Sequence, residues 1–268
     1  MNELNNKLEK YYNFKINAIE KNVDSTDGNV YIINCKNKKY VAKIYNNIEH
    51  VKSMVDIHKY LINNNLLVPK IISTIEKDYF IRVNDKYVIV YSFLPGKQIS
   101  RIIKNNVIED KNIIAIAKEI KKLHNVTQNK KFGLQELSFA NKLQRKSVIH
   151  FDLTKDNIFI NNEIVGFIDF DDAKYGDSIC DIAIAISLLF ISKKRGIDFN
   201  GIKLFIKNYY NEDTNLMKKE TPLINEYAIN WMDYILSDNN FETSIKESFE
   251  FKRKMVKLIG GKMLWEKK

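Results

Sequence analysis

Several polar residues separate two apolar runs near the middle of the chain, and this pattern limits how the segment can fold. The runs, residues 148–149 and 158–160, are typical of short buried strands. Among the polar residues between them are His150, Asp152, Asp156 and Asn157. Because an unpaired charge is costly to bury, we expect this segment to hold or bind a charged group.

A hairpin explains the crowding. Residues 157–160 and 164–170 read as two strands joined by a turn at Asn161-Asn162. Since the two strands are antiparallel, Asn157 and Asp169 should lie close together at the open end of the hairpin, with Asp152 on the loop just before Asn157. Carboxylate and amide oxygens suit Mg²⁺, and a further carboxylate could accept a proton from a hydroxyl.

The rest of the chain divides into a strand-rich part and a helical part. Residues 29–45 and 79–93 are expected to form hairpins, with one amphipathic helix between them. After Leu94-Pro95-Gly96 the apolar spacing becomes helical, apart from the hairpin described above. The sequence therefore predicts an α+β fold with an antiparallel sheet and one helix in its first part.

The motif around the hairpin resembles a known family. The residues that carry the resemblance are His150-x-Asp152-x4-Asn157, Gly166-Phe-Ile-Asp169-Phe-Asp-Asp172 and Gly176-Asp177-x3-Asp181. They are similar to those of the aminoglycoside phosphotransferase and choline kinase family, with some likeness to its homoserine kinase branch. The resemblance implies a two-lobed, protein-kinase-like fold, with a nucleotide-binding lobe at residues 1–95 and a catalytic and substrate-binding lobe at 96–268.

The resemblance also implies roles for individual residues of the second lobe. Asp152 would be the catalytic base, and Asn157 and Asp169 would hold Mg²⁺. His150 and Asp181 would brace the catalytic loop. Taken singly, Asp152 or Asn157 would more often be a turn or cap residue, and only their combination with Asp169 favours a catalytic role.

In the first lobe the resemblance implies a nucleotide site for ATP or GTP. Lys43, in Tyr40-Val-Ala-Lys43, would bind the α- and β-phosphates. Backbone groups near Ser92 and Leu94 would bind the purine edge. The segment Ser25-Thr-Asp-Gly-Asn29 stands where a phosphate-covering loop is expected.

One feature departs from the family pattern. Relatives usually place a glutamate on the inner face of the helix after the lysine strand, where it pairs with that lysine. Here Met54 lies on the apolar face. Glu49 and Asp56 are the candidates on the polar side, and Glu49 ranks first because its side chain is longer.

The C-terminal part suggests a class of acceptor. Residues 226–250 hold a single lysine beside six acids, which are Glu226, Asp233, Asp238, Glu242, Glu247 and Glu250. Tyr227, Trp231 and Tyr234 are interleaved, and both residue types favour ammonium groups. A solvated helix face with core aromatics is the alternative. His58 and His124 lie on apolar helix stripes and are assigned no chemistry.

These observations predict a Mg²⁺-dependent kinase that transfers the γ-phosphate of ATP or GTP to a hydroxyl of a small, amine-bearing substrate. An aminoglycoside-type acceptor is one possibility, and choline, ethanolamine or homoserine is the alternative. A protein kinase is disfavoured because only eleven residues separate Asp169 from Asp181, too few for an activation loop. A remote alternative is a non-catalytic nucleotide- or nucleic-acid-binding protein.

Charge and hydropathy narrow the expected partners. The net charge is +10, but the 43 Lys and Arg residues are scattered among 33 Asp and Glu, so no nucleic-acid partner is expected. The N-terminus lacks the apolar core of a signal peptide, and no apolar run approaches the ~20 residues of a membrane span. We therefore expect a cytoplasmic protein without a membrane partner, and the sequence leaves its oligomeric state open.

Overall fold

The chain divides into two compact units, residues 1–95 and residues 96–268. The computed structural model describes residues 2–22, 29–36, 38–105, 107–237 and 243–259. Within these ranges, every helix is too short or too polar to cross a membrane.

The first unit is a five-stranded antiparallel sheet with two helices. Its strand order is β1-β2-β3-β5-β4. The elements are α1 (Asn2–Tyr12), β1 (Ile16–Lys21), β2 (Val30–Cys35), β3 (Lys38–Tyr45), α2 (Ile48–Asn63), β4 (Ile81–Val83) and β5 (Lys86–Ser92). The two predicted hairpins are present, and the sheet confirms the predicted fold class for this part of the chain.

Helix α1 is an element that the sequence analysis missed. Leu4, Leu8 and Tyr12 recur every four residues, so they share one face of the helix, and all three are buried in the same cluster as Ala42 and Val90 of the sheet. The other positions of α1 are mostly polar, which left too short an apolar stripe to recognise. The first unit therefore has two helices where one was predicted.

The two faces of the sheet carry different helices. The ring centroids of Tyr45 and of His50 on α2 are 5.4 Å apart, and the Tyr45 hydroxyl is 3.2 Å from the Tyr91 hydroxyl. Ala42 belongs to the cluster that contains α1. Because successive side chains of a strand alternate, Lys43 shares the face of Tyr45 and α2.

The second unit is mainly helical and contains three small sheets. They pair β6-β8-β9, β10-β7 and β11-β12. The elements are β6 (Lys97–Gln98), α3 (Ile99–Ile102), α4 (Asp110–Val126), β7 (Lys146–Ile149), β8 (Ile158–Asn161), β9 (Ile164–Phe167), β10 (Lys174–Asp177), α5 (Ile179–Leu189), β11 (Ile191–Ser192), β12 (Gly196–Ile197), α6 (Phe199–Tyr209), α7 (Thr214–Glu220), α8 (Pro222–Leu236) and α9 (Thr243–Ile259).

The hairpin β8–β9 is the predicted one, with its turn one residue later than expected. Ile158 pairs with Phe167 and Asn161 with Ile164. The two turn residues, Asn162 and Glu163, have φ of 48° and 70°. Positive φ at both central positions is typical of the tight turn that matches the twist of antiparallel strands.

Helix α5 forms the centre of this unit. Nearly all of its side chains are buried, as its uniformly apolar sequence requires. It packs against α8, while α4 packs against α6 and α8 against α9. This packing fixes the first turn of α5, which carries Asp181, beneath the loop that follows β7.

Gly96, just before β6, offers a test of how the chain packs against β8. Its φ is +108°, and a Cβ there would lie 2.5 Å from the carbonyl oxygen of Ile160. Gly196, with φ of +68°, has no atom within 4 Å of its Cβ position. We expect Gly96→Ala to lower the free energy of unfolding by about 1–3 kcal/mol more than Gly196→Ala, because the φ of Gly96 lies further from the left-handed region that L-residues adopt and only its Cβ overpacks.

Urea unfolding of both variants measures this difference. Equal losses would show that the contact between Gly96 and Ile160 is looser than the structure indicates.

Candidate active site

The loop after β7 is held by one buried carboxylate. The N–H groups of His150 and Phe151 donate to the two oxygens of Asp181, at 2.7 and 3.0 Å. Phe151 has φ of +70°, a strained conformation for a bulky residue that persists only when its surroundings fix it. Asp181 therefore makes the bracing contact that the sequence analysis expected of it.

His150 ties the same loop to the end of the hairpin. Its Nε2 lies 2.9 Å from the carbonyl oxygen of Ile168, and since a carbonyl only accepts, Nε2 carries the hydrogen. Its Nδ1 then accepts from the N–H of Asp152 at 3.4 Å. The ring packs on Phe170 with centroids 4.5 Å apart, so His150 acts as a structural brace.

Asp152 and Asn157 are directly bonded. The Asn157 Nδ2 donates to the Asp152 Oδ2 at 2.6 Å and to the Asp152 carbonyl oxygen at 3.0 Å. With its amide nitrogen facing Asp152, Asn157 directs its Oδ1 away from that residue. This orientation leaves an amide oxygen as a possible metal ligand.

Asp169 lies beside this pair. The N–H of Ile168 donates to the carbonyl oxygen of Asn157 at 3.0 Å, so the ends of the two strands meet as the hairpin predicts. Asp169 itself is half-buried and has φ of +67°. The structure thus brings the three predicted residues of the second unit, Asp152, Asn157 and Asp169, to one place.

The environment of Asp152 makes its carboxylate a stronger base. The pKa of Asp152 is raised to about 6, mainly by burial and also by the neighbouring carboxylates of Asp169 and Asp172, while His150 and the Asn157 amide offset part of the rise. A carboxyl group with this pKa is still ionised at pH 7 to 8. It is therefore better suited to accept a proton than an ordinary aspartate.

The donor set fits Mg²⁺ that arrives with a nucleotide. In the described part of the chain, no group of three or more His, Cys, Asp or Glu side chains is placed to hold a metal alone. Asp169 and the Asn157 amide oxygen are hard ligands, and Mg²⁺ is usually bound by one or two carboxylates together with substrate phosphates. These residues suit such a site and do not form a closed structural cage.

His124 takes part in the bracing network, although the sequence analysis assigned it no chemistry. Its Nε2 lies 3.1 Å from the Oδ2 of Asp181, and its Nδ1 lies 2.8 Å from the hydroxyl of Tyr209. The sequence offered one signal for this role, the Leu123-His124 pair at the end of α4, which is similar to the end of a helix in the family.

In the first unit, the backbone N–H and the hydroxyl of Ser92 already form hydrogen bonds with Lys70. Its N–H donates to the carbonyl oxygen of Lys70 at 2.8 Å, and its Oγ accepts from the Lys70 N–H at 3.0 Å. A purine donor bond from this segment would therefore have to come from Leu94. Residues 25–28 of the expected phosphate-covering loop lie outside the described residues.

Glu49 forms an exposed ion pair, and its predicted role as the partner of Lys43 stays a prediction. Its carboxylate is 2.8 Å from the Nζ of Lys52, and its side chain is 73% exposed. Met54 is fully buried, in agreement with its predicted place on the inner face, and Asp56 is exposed. The exposed ion pair with Lys52 lends no support to the predicted role of Glu49.

Of the three aromatic residues on α8, one is accessible beside the loop of Asp152. Trp231 and Tyr227 are buried in the core, whereas Tyr234 is 45% exposed. The Tyr234 ring contacts Phe151 edge-to-face, with centroids 5.6 Å apart. Helix α8 therefore borders the loop that carries Asp152, and Tyr234 is available to an acceptor there.

The acidic residues of this region are largely paired within the protein. The ion pairs are Glu226 with Lys142, Asp233 with Arg253 at 2.6 Å, and Glu247 with Lys193 at 3.4 Å. Asp238 and Glu242 lie outside the described residues. The local acidity read from the sequence is thus partly neutralised by neighbouring side chains.

Comparison with known proteins places the motif in a family context. Residues 132–201, which include Asp152, Asn157 and Asp169, match the model of the phosphotransferase enzyme family. No curated protein matches the chain by sequence. The match confirms the predicted resemblance and the predicted enzyme class, a phosphotransferase.

Solved structures share the fold over nearly the whole chain. An amicoumacin kinase with AMP-PNP and Ca²⁺ is 15% identical with a TM-score of 0.73, and the match covers 100% of this chain and 95% of that one. A microcompartment-associated aminopropanol kinase is 13% identical with a TM-score of 0.69, covering 96% and 95%. A spectinomycin phosphotransferase with ADP and spectinomycin is 16% identical with a TM-score of 0.66, covering 96% of each. The chain therefore has the kinase-like fold.

The raised pKa of Asp152 predicts a pH-dependent effect on stability. In the unfolded chain the pKa of an aspartate is near 3.9, so above pH 6 ionisation of Asp152 costs the folded state roughly 2–3 kcal/mol. This cost disappears as the pH falls towards 4, because the folded state takes up the proton first. Asp152→Asn keeps an acceptor for Asn157. We expect it to raise the free energy of unfolding at pH 7.5 but not at pH 4.

Urea unfolding at the two pH values measures the effect. Asp156→Asn is the control, because Asp156 is exposed in the same loop and bonds Ser100. A gain for Asp152→Asn that is the same at both pH values would contradict the assignment.

Proposed function

We propose that the chain is a Mg²⁺-dependent kinase that transfers the γ-phosphate of ATP or GTP to a hydroxyl of a small, amine-bearing acceptor. The observation that carries the proposal is the grouping of Asp152 and Asn157, on a loop whose backbone is held by Asp181, with Asp169 at the end of the hairpin. Phosphoryl transfer requires positioning and charge neutralisation more than covalent chemistry from the protein, and this grouping supplies both.

Asp152 is the proposed general base. Its Oδ2 is occupied by the Asn157 amide, which leaves Oδ1 as the oxygen that accepts the proton of the acceptor hydroxyl. The hydrogen bond also fixes the carboxylate plane, so the base is oriented before the acceptor arrives.

Residues of each unit, taken separately, have a proposed role towards the donor nucleotide. Asn157 Oδ1 and Asp169 would hold Mg²⁺, which when bound neutralises charge on the phosphates. Lys43 would bind the α- and β-phosphates, and Leu94 N–H with the Ser92 carbonyl would bind the purine. Fold relatives include complexes with AMP-PNP, with ADP and with GDP, so ATP and GTP are both candidate donors.

A small acceptor agrees with several observations. The eleven residues between Asp169 and Asp181 leave no room for an activation loop, and Tyr234 offers an aromatic face to an ammonium group beside Phe151. Fold relatives include kinases of spectinomycin and of aminopropanol. The second of these supports the alternative, a metabolic kinase for an amino alcohol such as choline, ethanolamine or homoserine.

A substrate panel tests the proposal. Aminoglycosides, choline, ethanolamine, aminopropanol and homoserine would be assayed for stimulated release of ADP or GDP, with ATP and GTP run separately. We expect at least one acceptor to stimulate release and Asp152→Asn to lower kcat by at least about 100-fold. An intact rate in Asp152→Asn, or no Mg²⁺-dependent nucleotide binding, would overturn the proposal.

The metal role has its own test. We expect Asp169→Asn to raise the Mg²⁺ concentration needed for half-maximal activity by at least about tenfold, since it replaces a charged ligand by a neutral one. A Mg²⁺ titration at fixed nucleotide measures the change, with Asp156→Asn as the control in the same site region. An unchanged Mg²⁺ requirement would remove Asp169 from the proposed site.

A further inference from the structure

A buried chain of hydrogen bonds joins α6 to the loop that carries Asp152. The Tyr209 hydroxyl is 2.8 Å from His124 Nδ1, and His124 Nε2 is 3.1 Å from Asp181 Oδ2. Asp181 in turn accepts from the N–H groups of His150 and Phe151. Tyr209, His124 and Asp181 are all buried, so water does not substitute for any of these contacts.

The direction of each bond follows from the donors and acceptors present. An ionised carboxylate only accepts, so His124 Nε2 must donate to Asp181. In the tautomer with hydrogen on Nε2, Nδ1 is the acceptor, and Tyr209 supplies the O–H. Burial raises the pKa of the Tyr209 phenol above its ordinary value, so the hydroxyl keeps the hydrogen that it donates.

We propose that Tyr209 is a positioning residue for the catalytic loop and acts through His124 and Asp181. The strained backbone of Phe151, with φ of +70°, depends on Asp181 keeping both oxygens directed at the loop. The Tyr209 hydroxyl fixes the plane and the tautomer of the His124 ring, and that ring fixes one of those oxygens. The inference rests on the proposed function, because the loop that it positions carries the proposed base.

The neighbouring tyrosine provides a matched control. Tyr210 is equally buried, and its hydroxyl donates to Glu220 Oε2 at 3.0 Å, where Arg145 also binds at 2.8 Å. The rings of Tyr209 and Tyr210 pack edge-to-face at 5.0 Å. Removing the Tyr210 hydroxyl costs its bond to Glu220, and removing the Tyr209 hydroxyl costs its bond to His124 and its contact with Ser178. Only Tyr209 is bonded to His124.

The kinetic test compares Tyr209→Phe with Tyr210→Phe in the full chain. We expect a similar fall in Tm for both variants. Tyr209→Phe should lower kcat by about 10- to 100-fold with KM for donor and acceptor changed less than about twofold, as for a small displacement of a catalytic group. Tyr210→Phe should leave kcat within about twofold. Equal kcat in the two variants would overturn the inference.

A double-mutant cycle tests the route through His124. His124→Gln retains an N–H for Asp181 and removes the imidazole that Tyr209 orients. If Tyr209 acts through His124, Tyr209→Phe should cause no further loss of kcat in the His124→Gln background. Additive losses would show that the two residues act separately, and would overturn the proposed route.

Hydrogen exchange separates this inference from the proposed function. Tyr209→Phe should speed exchange of the His150 and Phe151 amides by at least about tenfold, while Tyr210→Phe should not. If these rates change as expected but the wild-type chain phosphorylates no acceptor in the panel, the proposed function fails and the positioning role stands. Unchanged exchange in Tyr209→Phe would contradict the positioning role whatever the activity.

Discussion

The bond between the Asp181 carboxylate and the backbone of the loop that carries Asp152 is the contact on which the rest of the candidate site depends. It holds Phe151 in a left-handed conformation and so sets the direction in which the next residue, Asp152, leaves the loop. A charge buried this deeply is tolerated because donors satisfy its oxygens: two backbone N–H groups and an imidazole. Stability and positioning thus have a common origin in this unit.

Much of the site could be predicted because its information is local in sequence. The spacing from His150 to Asn157 and the hairpin that follows bring Asp152 and Asp169 together by strand geometry alone, and the structure places them so. Asp181 also lay within the same recognisable motif. The positions of these residues are set by local backbone structure, which can be predicted from one sequence.

The features that the sequence did not predict depend on contacts between distant segments. Tyr209 lies 85 positions from His124, and nothing in the local pattern of α6 distinguishes it from Tyr210. Helix α1 was missed because its apolar stripe is short and is completed by the sheet. The ion pair between Glu49 and Lys52 was also not predicted, because side-chain length does not show which way a helix residue points.

The ion pairs along α8 and α9 bear on how an acceptor could be chosen. Glu226, Asp233 and Glu247 already have lysine or arginine counter-ions, so an incoming cation would replace one positive charge by another. Such an exchange changes the electrostatic free energy little. Discrimination between acceptors would then depend on the Tyr234 ring, which favours an ammonium group, and on how the apolar surfaces and hydroxyl groups of each acceptor fit beside it.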